Sequence, residues 1–409
     1  MKYIAIVTAG TLPVPPVKGG AVENLIDLLI KENEKNPEAY FTVFSIFDKD
    51  ANNKANVYKN TNFKFIKIPL ILKAIDLMIY ALFAYIFKKN KSMSYRYISS
   101  RIYYIFLVSF ILHKNDYSKV ILENHATLFM CIKLFKNYKK YFGRYIYHAH
   151  NELSGTYGCL NEIKNTRTII GVSKYILNKI ETQVNGFSNE TQFAILKNKI
   201  DREKFVSNID KSFESKMRKR LNLRNSDRII LFAGRMNKEK GIDILIKAWN
   251  RLNIPNAVLL IVGSYYFNSN MKNNRYQTEL NELLKKGKNI KFTGFINYIN
   301  MPSLYDMSEL VVLPSMWNDP APLTVIEALT MGKPLITTYS GGIPEYANTR
   351  NSILIKRDEK IIEHLSNEIK MIIENENLKH RLSINALNET NNWTSKHYFR
   401  DFISIIGNS

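Results

Sequence analysis

Cysteine is nearly missing: Cys131 and Cys159 are the two in 409 residues. A disulfide framework is therefore excluded, and their spacing suits no metal site, so two small buried apolar side chains in a reducing compartment are expected. Long hydrophobic runs are missing too. The longest, Leu77 to Phe87 and Ile102 to Leu112, hold eleven residues each, against the roughly 20 that a bilayer crossing needs. No membrane-spanning helix is expected, and "MKYIAIVTAG", which lacks the basic head and apolar run of a secretion leader, reads as a first core strand. There is no G-x-G-x-x-G after the strand-like runs "YIAIVTAG" and "LFAGRM", and no G-x-x-x-x-G-K-[ST] anywhere. Hydride-transfer and P-loop chemistries lose their usual phosphate cradles.

Acidic residues are in short supply, 36 against 58 Lys and Arg, for a net charge of +22. The imbalance is local. Residues 51–150 carry 17 basic and 3 acidic side chains, whereas residues 301–409 carry 10 and 13. "KKNKSMSYRYISSR" (88–101) has five cations and no acid and lies between the two apolar runs. Such a segment suits an anionic membrane surface or a polyanionic acceptor through residues 70–112, or a solvated helical hairpin.

A chain of this length exceeds one hydrophobic core, so two domains are expected. Apolar runs of strand length alternate with helical patterns in both halves. In the second half they are 228–236, 257–264, 289–295, 310–315 and 334–340; in the first, 3–10, 40–47, 62–69, 119–124, 144–150 and 167–173. Short runs without polar alternation predict parallel strands covered by helices on both faces, hence two doubly wound α/β domains. The division falls at residues 1–195 and 196–389. Ligands of such sheets bind beyond the carboxyl ends of the strands, so a cleft between the domains is the expected site.

Polar residues gather at those ends. "AGRMNKEKG" sets Arg235 beyond a strand and Lys240 before a helix, two cations near a helix start where phosphate binds. In "WNDPAPLTVIE" Pro322 takes the first helical position, freeing the amides of Leu323 and Thr324, while Asp319 precedes the helix and Glu327 lies a turn and a half into it. Gly341 and Gly342 follow the next strand, where backbone can approach a ligand closely; Gly234 and Gly263 end two earlier strands and are counted with the same site. Together these favour a nucleotide-diphosphate site. In the first domain Gly19 and Gly20 precede a helix, and "YHAHNE" ends a strand with His148 and His150 on one side. A metal site there needs a third ligand, and none is identified; no metal is expected.

"AGRMNKEKG", "GVSKYI", "NKID", "DPAPLTVIEALTMGKPLI" and "GGIPE" resemble the retaining glycosyltransferases of family 4, of the bacterial surface-polysaccharide or coat type. The resemblance implies the GT-B fold of two facing Rossmann-like domains, an acceptor domain first and a nucleotide-sugar domain second. "WTSKHYFRDFISII" (393–406) resembles the closing helix, about 390–409, that crosses back to the first domain. The resemblance further implies that Arg235 and Lys240 hold the donor diphosphate, Glu327 the ribose and Asp319 the sugar. His150, with His148 second, contacts the donor sugar or departing oxygen, and Gly19 and Gly20 lie beside phosphates and acceptor. Three positions depart from the pattern: Asp319 and Pro322 stand where Glu and Gly are usual, and Lys199 replaces a common glycine. The implied reaction takes a UDP- or GDP-sugar, needs no metal cofactor and delivers the sugar to a glycan or lipid-linked hydroxyl, in the cytoplasm or on the inner membrane face, with no nucleic acid involved. The alternatives are a nucleotide-sugar epimerase or a phosphorylase of similar fold, or a basic protein that binds nucleic acid or a membrane surface.

Overall fold

In a computed structural model, residues 2–83, 97–263 and 275–407 are described. Most of the basic stretch singled out above, residues 88–96, lies outside them. The chain forms two units, residues 1–197 with 398–409 and residues 198–397.

The first unit holds a parallel sheet of β1 (Lys2–Val7), β2 (Ala39–Ile46), β3 (Thr61–Ile66), β4 (Lys119–Glu123), β5 (Tyr145–Ala149), β6 (Thr168–Gly171) and β7 (Gln192–Ile195). Its order is β3-β2-β1-β4-β5-β6-β7. The second unit holds β8 (Arg228–Ala233), β9 (Ala257–Val262), β10 (Ile290–Gly294), β11 (Leu310–Leu313), β12 (Leu335–Thr338) and β13 (Ile353–Ile355), in the order β10-β9-β8-β11-β12-β13. Every pair is parallel. Central strands such as "AVLLIV" in β9 and "YIYHA" in β5 are buried at every residue, as sheets covered on both faces require. Each fully buried Val, Leu or Ile contributes about 1.5–3 kcal/mol. Sequence periodicity anticipates eleven of these strands and misses β7 and β13, one edge strand of each sheet.

Strand order reverses between β1 and β4 in one sheet and between β8 and β11 in the other. At such a reversal the crossover helices leave to opposite faces, and a crevice opens beyond the carboxyl ends.

Helix Leu70–Ala81 inverts the usual burial. Asp76 is its one buried residue, while Leu70, Ile71, Leu77 and Met78 are all more than half exposed. The Asp76 carboxylate accepts from the Ser99 amide (2.7 Å), the Ser100 amide (3.1 Å) and the Ser100 hydroxyl (2.5 Å). It thereby satisfies the first turn of helix Ile98–Lys114, which has no cap of its own, as orphan helix-start amides require. That second helix is anchored to the sheet by Tyr104, whose buried hydroxyl lies 2.9 Å from the Phe44 carbonyl. Its opposite face exposes Ile102, Phe106 and Phe110. In helix Ser395–Gly407, residues from Tyr398 onward belong to the first unit, with Phe402 edge-on to Phe41 of β2.

Candidate functional site

The reversal in the second unit gathers two loops. β8 runs out into Gly234 and Arg235, and a short 3-10 turn, Lys238–Lys240, brings Lys240 back. β11 runs out through Ser315 and Trp317 to Asp319. Lys240 Nζ meets Asp319 Oδ2 at 2.5 Å, the lysine largely and the aspartate almost wholly buried. Trp317 Nε1 donates to the same oxygen at 3.3 Å, so one carboxylate ties the loops together. Arg235 is half exposed, and its contact with Glu239 is 3.5 Å long. An exposed pair of that length is worth little in water, which leaves the guanidinium free to exchange Glu239 for a stronger anion.

Lys240, Ser315, Asp319, Pro322 and Thr324 line one concavity. Pro322 is the cap of helix Leu323–Thr330 and not its first helical residue, one position earlier than the sequence suggests. Its backbone is extended (ψ 119°) and its carbonyl accepts from the Val325 and Ile326 amides. The amides of Leu323 and Thr324 have no acceptor among the described residues. Thr324 and Lys240 line one hollow, and the unpaired Leu323 amide precedes Thr324 in the chain, an arrangement suited to phosphate.

The glycines serve loop packing. A Cβ on Gly263 would sit 1.9 Å from the Gly234 carbonyl oxygen, and one on Gly341 (φ 54°) would sit 2.5 Å from the Asp319 carbonyl oxygen. The Gly342 amide donates to that same carbonyl at 2.9 Å. The Gly341–Gly342 turn thus approaches the Asp319 backbone, where the sequence suggested a ligand.

Asp319 and Glu327 turn to different partners. Glu327 is buried and accepts from the Tyr305 hydroxyl at 2.8 Å. Tyr298, two-fifths exposed overall, reaches in with its hydroxyl to the same carboxyl. Burial raises the Glu327 carboxyl to about 7, against the opposing pull of both tyrosines.

In the first unit, Gly19 and Gly20 lead into helix Ala21–Lys35 with φ of 75° and 105°, in the left-handed region that favours glycine. The Glu23 carboxylate folds over Gly20, where a Cβ would meet it at 2.1 Å. Burial, with the negative charge of Glu123 adding to it, raises Glu23 to about 7. Glu123 ends β4, beside the reversal, and pairs in register with His148. Its carboxylate takes His148 Nδ1 at 3.1 Å and His150 Nε2 at 3.2 Å, with the two imidazole centres 4.2 Å apart. Burial opposes ionisation of Glu123, but the imidazoles, His148 foremost, outweigh it and hold the carboxyl near 2. For His150 burial wins, helped by His148, and lowers the imidazole to about 4 despite Glu123. Glu123 is thus the third potential ligand that the sequence leaves unidentified. The three ligand atoms lie within 4.8 Å of one another, close enough to hold a cation; two N–H donors on one carboxylate account for the same distances.

Against this geometry the comparisons are specific for one unit. Residues 213–389 match the family model "Glycosyl transferases group 1". The second unit carries a glycosyl transferases group 1 domain. The match takes in Arg235, Lys240, Asp319 and Glu327, while Gly19, Gly20, His148 and His150 lie outside it. The chain is similar to "Putative glycosyltransferase YtcC" of Bacillus subtilis (strain 168), 40% identical over 118 residues, 28% of this chain and 29% of that protein. It is similar also to "Spore coat protein SA" of the same organism, 36% identical over 132 residues, 32% and 34% of the two chains. These matches span about a third of the length of the curated relatives. Among solved structures, Anabaena Alr3699/HepE in complex with UDP-glucose superposes over 100% of both chains, with a TM-score of 0.71 at 18% identity. That likeness carries the fold: two parallel-sheet α/β domains of GT-B type.

Of the residues that the sequence places at one strand-end region, Lys240, Asp319, Pro322 and Thr324 line one hollow, and Leu323 does not. Sequence reasoning overlooked Trp317, Tyr298 and Tyr305, which hold the two acids, and Glu123 and Glu23. "KVILEN", an apolar strand ending in an acid beside a strand ending His-Ala-His, was the available signal for Glu123.

The raised Glu327 value has a consequence for stability. As pH rises from 4.5 towards 7 the unfolded chain ionises this group before the folded one, so stability falls through that window and then levels. Glu327→Gln keeps an acceptor for Tyr305 and removes the titration. The melting temperature of the variant relative to the parent should therefore rise between pH 5 and pH 8, by roughly 2–4 °C per kcal/mol. A constant difference across that range would show that Glu327 does not titrate abnormally.

Proposed function

We propose that this protein is a retaining glycosyltransferase of family 4 that moves a sugar from a nucleoside-diphosphate sugar, UDP- or GDP-linked, to a hydroxyl of a glycan or lipid-linked acceptor in surface-polysaccharide or coat synthesis. The observation that carries the reading is the hollow lined by Lys240 and Thr324 beyond the carboxyl ends of β8 and β11, at a helix start whose Leu323 and Thr324 amides are unpaired. A diphosphate seated there gains negative charge as the sugar departs. Lys240, Arg235 and the two amides meet that charge already in place, which lowers the barrier without reorganisation at the moment of reaction. The reading assigns no resident metal, because these groups supply the positive field.

Asp319 orients Lys240 and, in this reading, approaches the sugar. Glu327 takes the ribose, exchanging a tyrosine hydroxyl for a ribose hydroxyl. His150 lies near the sugar or the departing oxygen, and Gly19 and Gly20 beside the acceptor. The departing diphosphate takes the acceptor proton as the new bond forms on the same face of the sugar. Two of the relatives, a putative glycosyltransferase and a spore coat protein, support this assignment.

Nucleotide sugars and free UDP should raise the melting temperature with concentration. Lys240→Ala removes a charge-assisted bond of about 1.5–3 kcal/mol, so the dissociation constant for UDP should rise roughly tenfold or more, while uridine is little affected. Equal affinities of variant and parent for UDP would remove the diphosphate from this hollow.

The first unit supplies the acceptor side in this reading, on an anionic membrane surface at the inner face of the cell membrane. Helix Leu70–Ala81 presents Leu70, Ile71, Leu77 and Met78 outward within a region that holds 17 cations to 3 acids over residues 51–150. A second copy would bring like charge onto this face, whereas anionic lipid complements both its features. The protein should sediment with phosphatidylglycerol vesicles and not with phosphatidylcholine ones, and Leu77→Asp with Met78→Asp should weaken binding several-fold. Undiminished binding by that double variant would put the contact elsewhere.

A further inference from the structure

Glu123 is wholly buried, ends β4 at the reversal of the first sheet and pairs in register with His148. Asn124, next in the chain, has a φ of 65° and fixes the end of β5 from the other side. Its amide donates to the His148 carbonyl at 2.8 Å, and its side-chain oxygen accepts from the His150 amide at 3.2 Å. Its carbonyl accepts from the Tyr147 hydroxyl at 2.6 Å. Glu123 and Asn124 together thus grip the backbone and both imidazoles of the His-Ala-His strand end. One ring nitrogen of His150 is committed: Nε2 faces Glu123 Oε2 at 3.2 Å. A carboxylate can only accept there, so Nε2 carries the hydrogen. Nδ1 makes no hydrogen bond among the described residues.

We propose that Glu123 is a positioning residue: by accepting from Nε2 it fixes His150 in the Nε2–H tautomer, which makes Nδ1 a bare lone pair that accepts a hydrogen bond from a ligand hydroxyl. The class of ligand follows from the chemistry. A lone pair accepts from a sugar or acceptor hydroxyl and cannot hold a phosphate oxygen, so this unit reads the hydroxyl side of the reaction and the second unit the phosphate side. Second-sphere carboxylates fix histidine rings in this way wherever one nitrogen must be kept for one partner. The inference rests on the reading that His150 touches a substrate, but the tautomer itself does not.

The test is imidazole nitrogen spectroscopy on the full chain labelled with 15N-histidine, with the His150 signal identified by its loss in His150→Gln. At neutral pH the parent should show His150 protonated on Nε2 and bare on Nδ1. Glu123→Gln, whose amide can donate as well as accept, should convert it to a mixture of tautomers. A His150 protonated on Nδ1 in the parent, or a spectrum unmoved by Glu123→Gln, overturns the proposal. So does stoichiometric Zn²⁺ bound by the parent and lost in Glu123→Gln, because a metal would take the lone pair that Nε2 is here denied. If Glu123→Gln does not fold, the parent spectrum and its response to Zn²⁺ decide the matter.

A double-mutant cycle ties the tautomer to turnover. With a nucleotide sugar that passes the melting test, Glu123→Gln and His150→Gln should each lower kcat at least tenfold with donor KM within about threefold, and the double variant should lose no more than His150→Gln alone. Losses that multiply would show that Glu123 does not act through His150. Should no nucleotide sugar bind at all, the functional reading fails while the spectrum still decides the tautomer.

Discussion

A doubly wound parallel sheet can reverse its strand order at one place, and both sheets of this protein gather buried charged side chains there. Between β8 and β11 the departing loops are joined by the Met316 amide on the Glu239 carbonyl, at 2.7 Å, and by the ion pair of Lys240 with Asp319, whose carboxylate also accepts from Trp317. The pair is largely buried, so removing either partner would strand the other's charge in low dielectric, an outcome far costlier than losing an exposed bridge. The rest of the hollow follows from that tie. Gly341 packs against the Asp319 carbonyl, Gly342 donates to it, and the helix beginning at Leu323 is held with two amides unpaired.

The first sheet meets the same constraint with the opposite sign of charge. Glu123 is a single buried anion served by two imidazoles, and a second acid, Glu23, is kept near 7 by burial and by Glu123's charge. One unit therefore presents positive groups at its reversal, suited to phosphates, and the other presents acids and histidines, suited to hydroxyls. Both sets stand at strand ends, where the scaffold is stiffest and a small misplacement of a polar group is least tolerated.

Much of this was legible from residue order because burial dictates pattern. Strands covered on both faces, such as β8 and β9, are continuous apolar runs, and the residues just past them are the only polar ones the sheet can direct to a ligand. β7 and β13 escaped because they are only four and three residues long and, in β7, largely exposed, so no buried pattern marks them. Pro322 was placed one residue too far into its helix, since a proline suits either the cap or the first turn. Glu123 escaped for a different reason. Its partners lie 25 and 27 residues away in sequence, and which strands become neighbours is fixed by the whole sheet and not by local periodicity. The inverted burial of helix Leu70–Ala81 was likewise invisible, because an apolar run looks the same whether it faces a core or the outside.

The central claim is that the second unit grips a diphosphate with Lys240 and the first amides of helix Leu323–Thr330. A crystal structure with a bound nucleoside diphosphate tests it most directly. The account predicts a phosphate oxygen within hydrogen-bond distance of Lys240 Nζ and of the Leu323 or Thr324 amide, with Arg235 turned from Glu239 towards the same group. A diphosphate bound in full occupancy elsewhere, with Lys240 still closed on Asp319, would contradict it.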